Sequence, residues 1–479
     1  MEPWLRSALD YIGDWLEFQL EGSQQPGCII AVVHRGKVIA EHAFGHANLD
    51  TGEKLTPRHR FRIASHSKAF TAAGLMKLRE RRKLKLDDAI GQYVKGLHPQ
   101  VAEATIAQVL SHSAGLTRDG ADSGQFIDSR PYLNEKELLA ELQLPAAIEP
   151  NTRFKYSNHG YGLLGLVIEA ITGEPYPVWI KREVVEPAGL GETEPNMPVA
   201  NLPVANVPRA KGAPFARGHS RKYPLGRRLV VPGDNSTHAI TSAAGFVSTA
   251  ADTARFFAQL APNATRSVLS AASRREMTRK QWRIPQTIEE AYYGFGLMSG
   301  QTGGWDWFGH GGGFQGYISR TCVIPACDVS ITILTNSVDG WAAFWANGAM
   351  HILRAFKTRG APKRRVRDWS GRWWTLWGAI DLVPMGGLVI AGNPHLINPF
   401  LDATEIEVTG RDTGRIASAT GYASHGEGVR RSRNKAGHVT DIWLAGANAK
   451  REKALAAEME RRYAPRKGDK AKEGGKAKG

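Results

Sequence analysis

Three short stretches of this 479-residue chain hold side chains whose types and spacing suit nucleophilic catalysis. The first is Ser65-His66-Ser67-Lys68, at the start of FRIASHSKAFTAAGLMKL, a segment with helical periodicity. Residues three apart share a helix face, so the Ser65 hydroxyl and the Lys68 amine can approach each other. Serine is a poor nucleophile until a base takes its proton, and a desolvated lysine of lowered pKa can do that. The field of a helix N-terminus favours the negative charge that develops. Chance produces this spacing often, so alone it says little.

The second stretch is Tyr156-Ser157-Asn158, just before the apolar run GYGLLGLVIEAIT. A tyrosine beside an ammonium can act as general base and then as acid towards a leaving group. An asparagine amide can hold Lys68 or a substrate carbonyl. The competing reading is a helix N-cap made by Ser157 or Asn158, with Tyr156 as ordinary core. The third stretch is His310-Gly311-Gly312-Gly313, expected on an edge strand running from Gly311 to Ile324. Glycines let a substrate backbone approach a strand, and the Gly313 N–H can join the Ser65 N–H as an oxyanion hole. A glycine-rich hairpin is the alternative.

The elements that must position these residues follow from periodicity. Cys28–Val33 and Lys37–Ala43 read as two strands around the turn Arg35-Gly36, a hairpin, and Ile318–Ile324 with Val329–Thr335 form a second one. Helical spacing covers Ser65 to about Lys83, starts again at Thr105–Leu110, and recurs at Trp341–Phe356. Gly160–Thr172 is apolar nearly all round, which predicts a buried helix closed by Gly173. Strands at both ends of the first 358 residues with helices between them predict an α+β fold. Its antiparallel sheet is flanked by helices and accompanied by an all-helical region. The N-terminal segment reads as an amphipathic surface helix with Trp4, Leu5, Leu9, Ile12, Leu16 and Phe18 on one side. There is no internal repeat.

After a basic linker at 359–367, short strand-like stretches predict a small β-barrel or β-sandwich over 368–464. They are Arg372–Leu376, Leu388–Ile390, Glu405–Thr409, Ile416–Thr420 and Val439–Leu444. Trp369, Trp373, Trp374 and Trp377 read as core, with a carbohydrate platform as the alternative. Pro465–Gly479 (PRKGDKAKEGGKAKG) has a composition that cannot pack and reads as a disordered tail.

Other motifs fail on context. Gly311 to Gly316 matches G-x-G-x-x-G, but a strand follows where a dinucleotide site needs a helix. His310-Gly311-Gly312-Gly313 mimics a lipase oxyanion loop, yet the chain has no G-x-S-x-G elbow. No P-loop and no H-E-x-x-H occurs. Cys28, Cys322 and Cys327 read as reduced core or strand residues, Cys-x4-Cys being poor metal spacing. No metal or organic cofactor is expected.

Taken together the three stretches carry more weight. Their order and spacing resemble the S-x-x-K, [YS]-x-N and [KH]-[TSG]-G triplet of the serine β-lactamase and penicillin-binding-protein superfamily. The branch resembled is the class C β-lactamase, D-aminopeptidase and esterase group (peptidase S12-like), given Tyr-x-Asn and a third motif beginning with His. Flanking text agrees. Leu110-Ser111-His112-Ser113-Ala114-Gly115-Leu116 resembles that group's LL-x-H-x-SGL, Ala244–Thr249 its GG-x-x-ST, and Tyr293–Leu297 its YG-x-G. The likeness spans about residues 25–357.

The resemblance implies a serine hydrolase domain over 1–358 working through an acyl-enzyme. Ser65 is then the nucleophile, Lys68 and Tyr156 share the base and acid roles, and Asn158 orients Lys68 or substrate. The Ser65 and Gly313 amides hold the oxyanion, and His112 is structural. His310 stands where other members have a carboxylate-binding lysine, and it would be neutral near pH 7 if unperturbed. That favours a D-aminopeptidase or D-amino-acid amidase over a β-lactamase or DD-peptidase. Arg320, on the same candidate strand, can restore carboxylate binding, and Asp119 or Asp122 can hold a substrate amine. An esterase, a weak β-lactamase or DD-peptidase, and a non-catalytic peptide sensor on the same fold remain as alternatives.

Composition bounds the rest. With 42% hydrophobic residues the chain can bury a large core, which excludes a disordered or collagenous protein. The formal charge is +16, and residues 359–479 hold 23 Lys and Arg against 13 Asp and Glu. Such an excess raises nucleic acid or an anionic surface as partner. No binding motif accompanies it, so no specific nucleic acid is expected, only a small peptide, amide or ester substrate. No apolar run approaches a membrane span and no export signal is recognisable, so the expected location is cytoplasmic.

Overall fold

A computed structural model describes residues 1–196, 213–233, 235–287, 289–420 and 423–464. The tail 465–479, expected to be disordered, lies outside the described residues. The chain forms two compact units, one of Leu20–Met350 and one joining Met1–Gln19 to His351–Gly479.

The first unit is built on a nine-stranded antiparallel sheet. In chain order its strands are β1 (Gly27–His34), β2 (Lys37–Asn48), β3 (Glu53–Lys54), β4 (Trp282–Ile284), β5 (Ala291–Tyr293), β6 (Met298–Thr302), β7 (Trp305–Phe314), β8 (Tyr317–Ile324) and β9 (Val329–Thr335). They are ordered β3-β2-β1-β9-β8-β7-β6-β5-β4. Both expected hairpins form. Arg35 and Gly36 take the positive φ values of 51° and 74° that a tight right-twisting hairpin turn needs. The two ends of the segment meet where β1 pairs with β9, from Cys28↔Thr335 to His34↔Val329. β1 and β9 are buried along their whole length, which is why β1 reads as a continuous apolar run without alternation.

One strand differs from expectation. The stretch Gly311–Ile324 is not one edge strand but the ends of β7 and β8, joined through Gln315-Gly316. β7 is flanked by β6 as well, although that pairing stops at Gly309. Residues His310–Phe314 therefore have a free edge inside an otherwise continued sheet. The long glycine run has no side-chain pattern with which to mark the turn.

Helices α2 (Ser67–Glu80), α3 (Asn158–Thr172) and α4 (Ala250–Gln259) join the sheet in one apolar core that includes Ile29, Phe70, Ile168, Phe257 and Leu334. The helix expected from Ser65 begins two residues later, after a 3-10 turn over Ala64–His66. α3 is closed by Gly173 at φ 70°, as its sequence predicts.

The second unit holds a closed eight-stranded antiparallel barrel, β10 (Gly371–Thr375), β11 (Gly378–Met385), β12 (Leu388–Gly392), β13 (Thr404–Val408), β14 (Thr413–Ser418), β15 (Gly428–Arg433), β16 (Val439–Leu444) and β17 (Ala447–Lys450). β11, β15 and β17 were not legible: β11 contains Asp381 and Pro384, and β15 and β17 carry almost no apolar residues. Trp369 and Trp373 are core, each under an arginine (Arg431 at 4.1 Å and Arg451 at 3.9 Å from the ring centres), whereas Trp377 is 95% exposed.

The N-terminal helix α1 (Pro3–Gly22) is amphipathic, with Arg6, Asp10, Asp14, Glu17 and Glu21 exposed along one face. Trp4, Leu5, Leu9, Ile12, Leu16 and Phe18 are buried, and so are Tyr11, Trp15 and Gln19 on the same half of the helix. Within its unit, Tyr11 Oη donates to Asp381 at 3.0 Å, Trp15 Nε1 to the Leu396 carbonyl at 3.3 Å and Gln19 Nε2 to the Pro394 carbonyl at 2.6 Å.

Candidate active site

Ser65 lies in the 3-10 turn that leads into α2, half-buried, after Ala64 at φ 50°. One α2 turn on, the Lys68 side chain is fully buried. Its Nζ donates to Ser65 Oγ at 3.2 Å, to Asn158 Oδ1 at 2.7 Å and to the Ala243 carbonyl at 2.9 Å. Tyr156 Oη donates to Ser65 Oγ at 2.8 Å. Four of the six residues singled out from sequence, Ser65, Lys68, Tyr156 and Asn158, thus form one hydrogen-bonded cluster.

Burial pushes the Lys68 pKa well below that of free lysine; Asp119 opposes the shift and Arg118 adds to it. As ammonium, Lys68 has three N–H groups for its three acceptors. As amine it has two and a lone pair, and so can accept the Ser65 proton. Burial moves Tyr156 the other way, raising its pKa, while its bond to Ser65 and the nearby Arg118 lower it. At neutral pH Tyr156 is therefore a phenol. Lys68 Nζ stands 4.8 Å from the Tyr156 ring centre, ready to favour a phenolate formed transiently.

Asn158 is fixed from both sides. Its Nδ2 donates to Asp119 Oδ1 at 2.6 Å, and Asp119 Oδ2 accepts from Arg118 Nε at 3.0 Å. The backbone N–H of Asn158 donates to the Arg118 carbonyl at 2.9 Å, tying that loop to the start of α3. The N-cap reading of the second stretch is realised, since Ser157 caps α3 by accepting from Gly160 N at 2.8 Å. His112 Nδ1 accepts from Ser157 N at 3.1 Å, and its ring lies 4.2 Å from that of Tyr156.

His310 is buried on β7, with Nε2 bonded to Tyr293 Oη at 2.9 Å and Nδ1 to the Gly311 carbonyl at 2.5 Å. A carbonyl only accepts, so Nδ1 carries the proton and Nε2 accepts from tyrosine. Burial pushes the His310 pKa well below its usual value, with His66 and Lys68 adding, and the ring is neutral. It joins the cluster through packing: Tyr293 meets the Tyr156 ring edge-on at 6.3 Å. His66 is also buried, between Ile63, Ser319 and Thr321, and its pKa is lowered to about 3, chiefly by burial.

Glycine is required at 312. A Cβ there would stand 2.3 Å from the Ile63 carbonyl oxygen and 3.1 Å from Ala64 Cβ. This approach sets β7 directly against the residues that precede Ser65. Gly313 points to the opposite face, where a Cβ would meet only Ile318 Cδ1 at 3.5 Å. Arg320 is paired with Gly311 and lies over Trp307 at 4.3 Å, on the face of the sheet away from His310 and Gly312. It is not aimed at Ser65. Asp119 is engaged by Asn158 and Arg118, and Asp122 caps Gly124 N at 2.8 Å and pairs with Arg130.

Sequence reasoning missed the Ala243 carbonyl, the Tyr293 hydroxyl and the contact of Asp119 with Asn158. The first adjoins a stretch already singled out, Ala244–Thr249, and the second lies within another, Tyr293–Leu297. The third depends on how a loop folds and leaves no local signal. Among the described residues no group of three or more His, Cys, Asp or Glu side chains is placed to hold a metal ion. No helix among them is long and apolar enough to cross a membrane.

The chain is 32% identical over 179 residues to penicillin-binding protein 4* of Bacillus subtilis (strain 168), covering 36% of this chain and 38% of that protein. It spans little more than a third of the length of the curated relatives it matches. In fold it is similar to an octameric penicillin-binding protein homologue from Pyrococcus abyssi, at TM-score 0.64 and 22% identity, covering 92% of this chain and 99% of that one. It is also similar to the D-amino acid amidase from Ochrobactrum anthropi SV3, at TM-score 0.60 and 21% identity, covering 72% and 99%. The family model described as Beta-lactamase matches residues 14–351, well over half of the chain. With that match and a hydrogen-bonded Ser65–Lys68–Tyr156–Asn158 cluster at its centre, the chain belongs to the beta-lactamase family.

Proposed function

We propose that the protein is a serine hydrolase that cleaves amide or ester bonds through an acyl-enzyme on Ser65, with D-amino-acid amides or short D-peptides as its leading substrate class. The observation that carries the proposal is the convergence of a buried lysine and a phenol on one serine oxygen. In acylation Ser65 Oγ attacks the carbonyl carbon while its proton passes to the Lys68 amine. Tyr156 gives its phenol proton to the leaving group as the old bond breaks. Lys68 is then an ammonium beside a phenolate. Water attacks the ester, loses a proton to Tyr156, and Ser65 leaves with the proton held by Lys68, which restores the starting state. Asp119 and Arg118 act as positioning residues that keep the Asn158 oxygen on Lys68. The Ser65 and Gly313 amides supply the oxyanion hole.

The neutral His310 and the turned-away Arg320 supply no cation for a substrate carboxylate, which supports the amidase reading over a DD-peptidase or efficient β-lactamase. The fold likeness to a D-amino acid amidase points the same way. A second reading, an esterase for uncharged acyl groups, is favoured by one observation: Asp119 is already held and is not free for an amine.

Initial rates on D-alanine p-nitroanilide, with free and with acetylated amine and Ser65→Ala as blank, test the proposal. A strong preference for the free amine is expected. Equal or absent amide turnover with active short-chain ester hydrolysis would replace amidase by esterase. An inert wild type that still binds peptides would make the protein a sensor.

A further inference from the structure

We propose that the hairpin Ser220–Leu229, with the apolar flank beside it, docks the protein on an anionic phospholipid surface. The segment reads SRKYPLGRRL, with Arg221 and Lys222 before the apolar tip, Arg227 and Arg228 after it, and no acid anywhere from 214 to 233. Its base is rigid. A two-stranded stem pairs Gly218 with Val231 and His219 with Val230, and Leu229 N donates to Ser220 Oγ at 2.9 Å. Arg228 Nη1 clamps the base to Asp339 Oδ1 at 2.6 Å and Ser337 Oγ at 2.7 Å. Beyond that clamp the tip projects: Tyr223 is 73% and Leu225 59% exposed. Arg221 and Arg227 are exposed on either side, and neither forms an ion pair among the described residues.

The clamp also places a second apolar group beside the stem. Val338 N donates to the His219 carbonyl at 3.1 Å, and Val338, Trp341 and Phe344 are all exposed, Phe344 by 54%. Exposed apolar residues rimmed by cations, with the adjoining Asp339 paired to Arg228, match the boundary between lipid headgroups and acyl chains. Leu225 and Val338 offer nothing to a nucleic-acid base, whereas hydrocarbon accepts them. The stem rests on the β7–β8 turn, where Tyr317 Oη donates to the Ala216 carbonyl at 2.8 Å. Docking there would bring the β7 end that bears Gly313 next to the lipid.

The test is sedimentation of the full chain with vesicles of phosphatidylcholine alone and of equal parts phosphatidylcholine and phosphatidylserine. Two variants, Arg221→Glu/Arg227→Glu and Tyr223→Ser/Leu225→Ser, are compared with wild type after thermal midpoints confirm that they fold. Binding only to the phosphatidylserine vesicles is expected, weakened roughly fivefold or more per cation removed. The serine pair should weaken it about tenfold. Equal binding by wild type and both variants would overturn the proposal and leave the basic tail as the cause. Failure of wild type to prefer phosphatidylserine would also overturn it. So would tight binding to a short DNA duplex that the serine pair leaves unchanged, in the absence of vesicle binding.

Discussion

The three successive glycines on β7 make separate predictions, because the strand turns each towards a different neighbour. None has a positive φ, so alanine is conformationally allowed at all three and only space decides. At 311 the new methyl would meet Arg320 Nη1 at 3.5 Å, and at 313 it would meet Ile318 Cδ1 at 3.5 Å, both ordinary contacts. At 312 it would stand 2.3 Å from the Ile63 carbonyl oxygen and 2.5 Å from Ser319 Oγ. Reaching normal contact needs a displacement of about 1 Å between β7 and the Ser65 turn. Forced overpacking of this kind costs about 1–3 kcal/mol in stability. A shift of that size at a reacting centre lowers the rate by roughly a hundredfold. The assay is covalent labelling of Ser65 by a fluorophosphonate, which needs no knowledge of the substrate, beside thermal melts. Gly312→Ala should lose about two orders of magnitude in labelling rate. Gly311→Ala and Gly313→Ala should stay within roughly threefold of wild type. Equal losses at all three positions, or a Gly312→Ala variant that labels normally, would refute the steric reasoning.

Three other outcomes are expected. Asp119→Leu leaves Asn158 Nδ2 without its acceptor at a buried position, worth about 1–3 kcal/mol, and Ser65 labelling should slow by tenfold or more. Because the Asp119 carboxylate favours the Lys68 ammonium, the acid limb of the rate profile should move to lower pH in Asp119→Asn, and an unmoved limb would dismiss the coupling. His66 has a folded pKa of about 3 against about 6.5 unfolded, so the unfolded chain binds a proton first. Stability is then full above pH ~6.5 and declines as pH falls towards 3, by about 4–5 kcal/mol in all; His66→Gln should flatten that part of the denaturation profile. Trp369→Ala empties the barrel core beneath Arg431 and should cost about 3–5 kcal/mol, read as a lowered calorimetric transition.

How far the site was legible depends on how far apart its partners lie. Ser65 and Lys68 were readable because helix geometry alone brings residues three apart together. Tyr156 and Asn158 needed only the apolar run that follows them to be placed at a helix start. Asp119 was noticed but expected to face a substrate amine, since nothing local says that a loop folds its carboxylate onto Asn158. Arg320 shows the same limit: expected on one strand with the glycines, it lies on the next, and the face its side chain takes follows only from its register with Gly311. In the barrel, Asp381 hid β11, because its burial depends on Arg372 at 2.7 Å and on Tyr11, hundreds of residues away. α1 was legible as an amphipathic helix. Its Trp4–Phe18 stripe is buried, and Tyr11, Trp15 and Gln19 fall on the same half of the helix, but their partners Asp381, Leu396 and Pro394 lie hundreds of residues away.

That helix has a consequence for biosynthesis. Tyr11 leaves the ribosome 370 residues before Asp381 does, and at roughly 5–20 residues per second the interval is about 20–75 seconds. Throughout that time Tyr11, Trp15 and Gln19 have no barrel to meet, while Leu20–Met350 is already long enough to fold. The helix must wait as a tryptophan-bearing apolar segment, open to chaperones or to neighbouring nascent chains. Completion of the second unit is therefore a late, non-local event. Chains that stop short of the barrel would present this helix unpartnered, and they are the ones expected to aggregate.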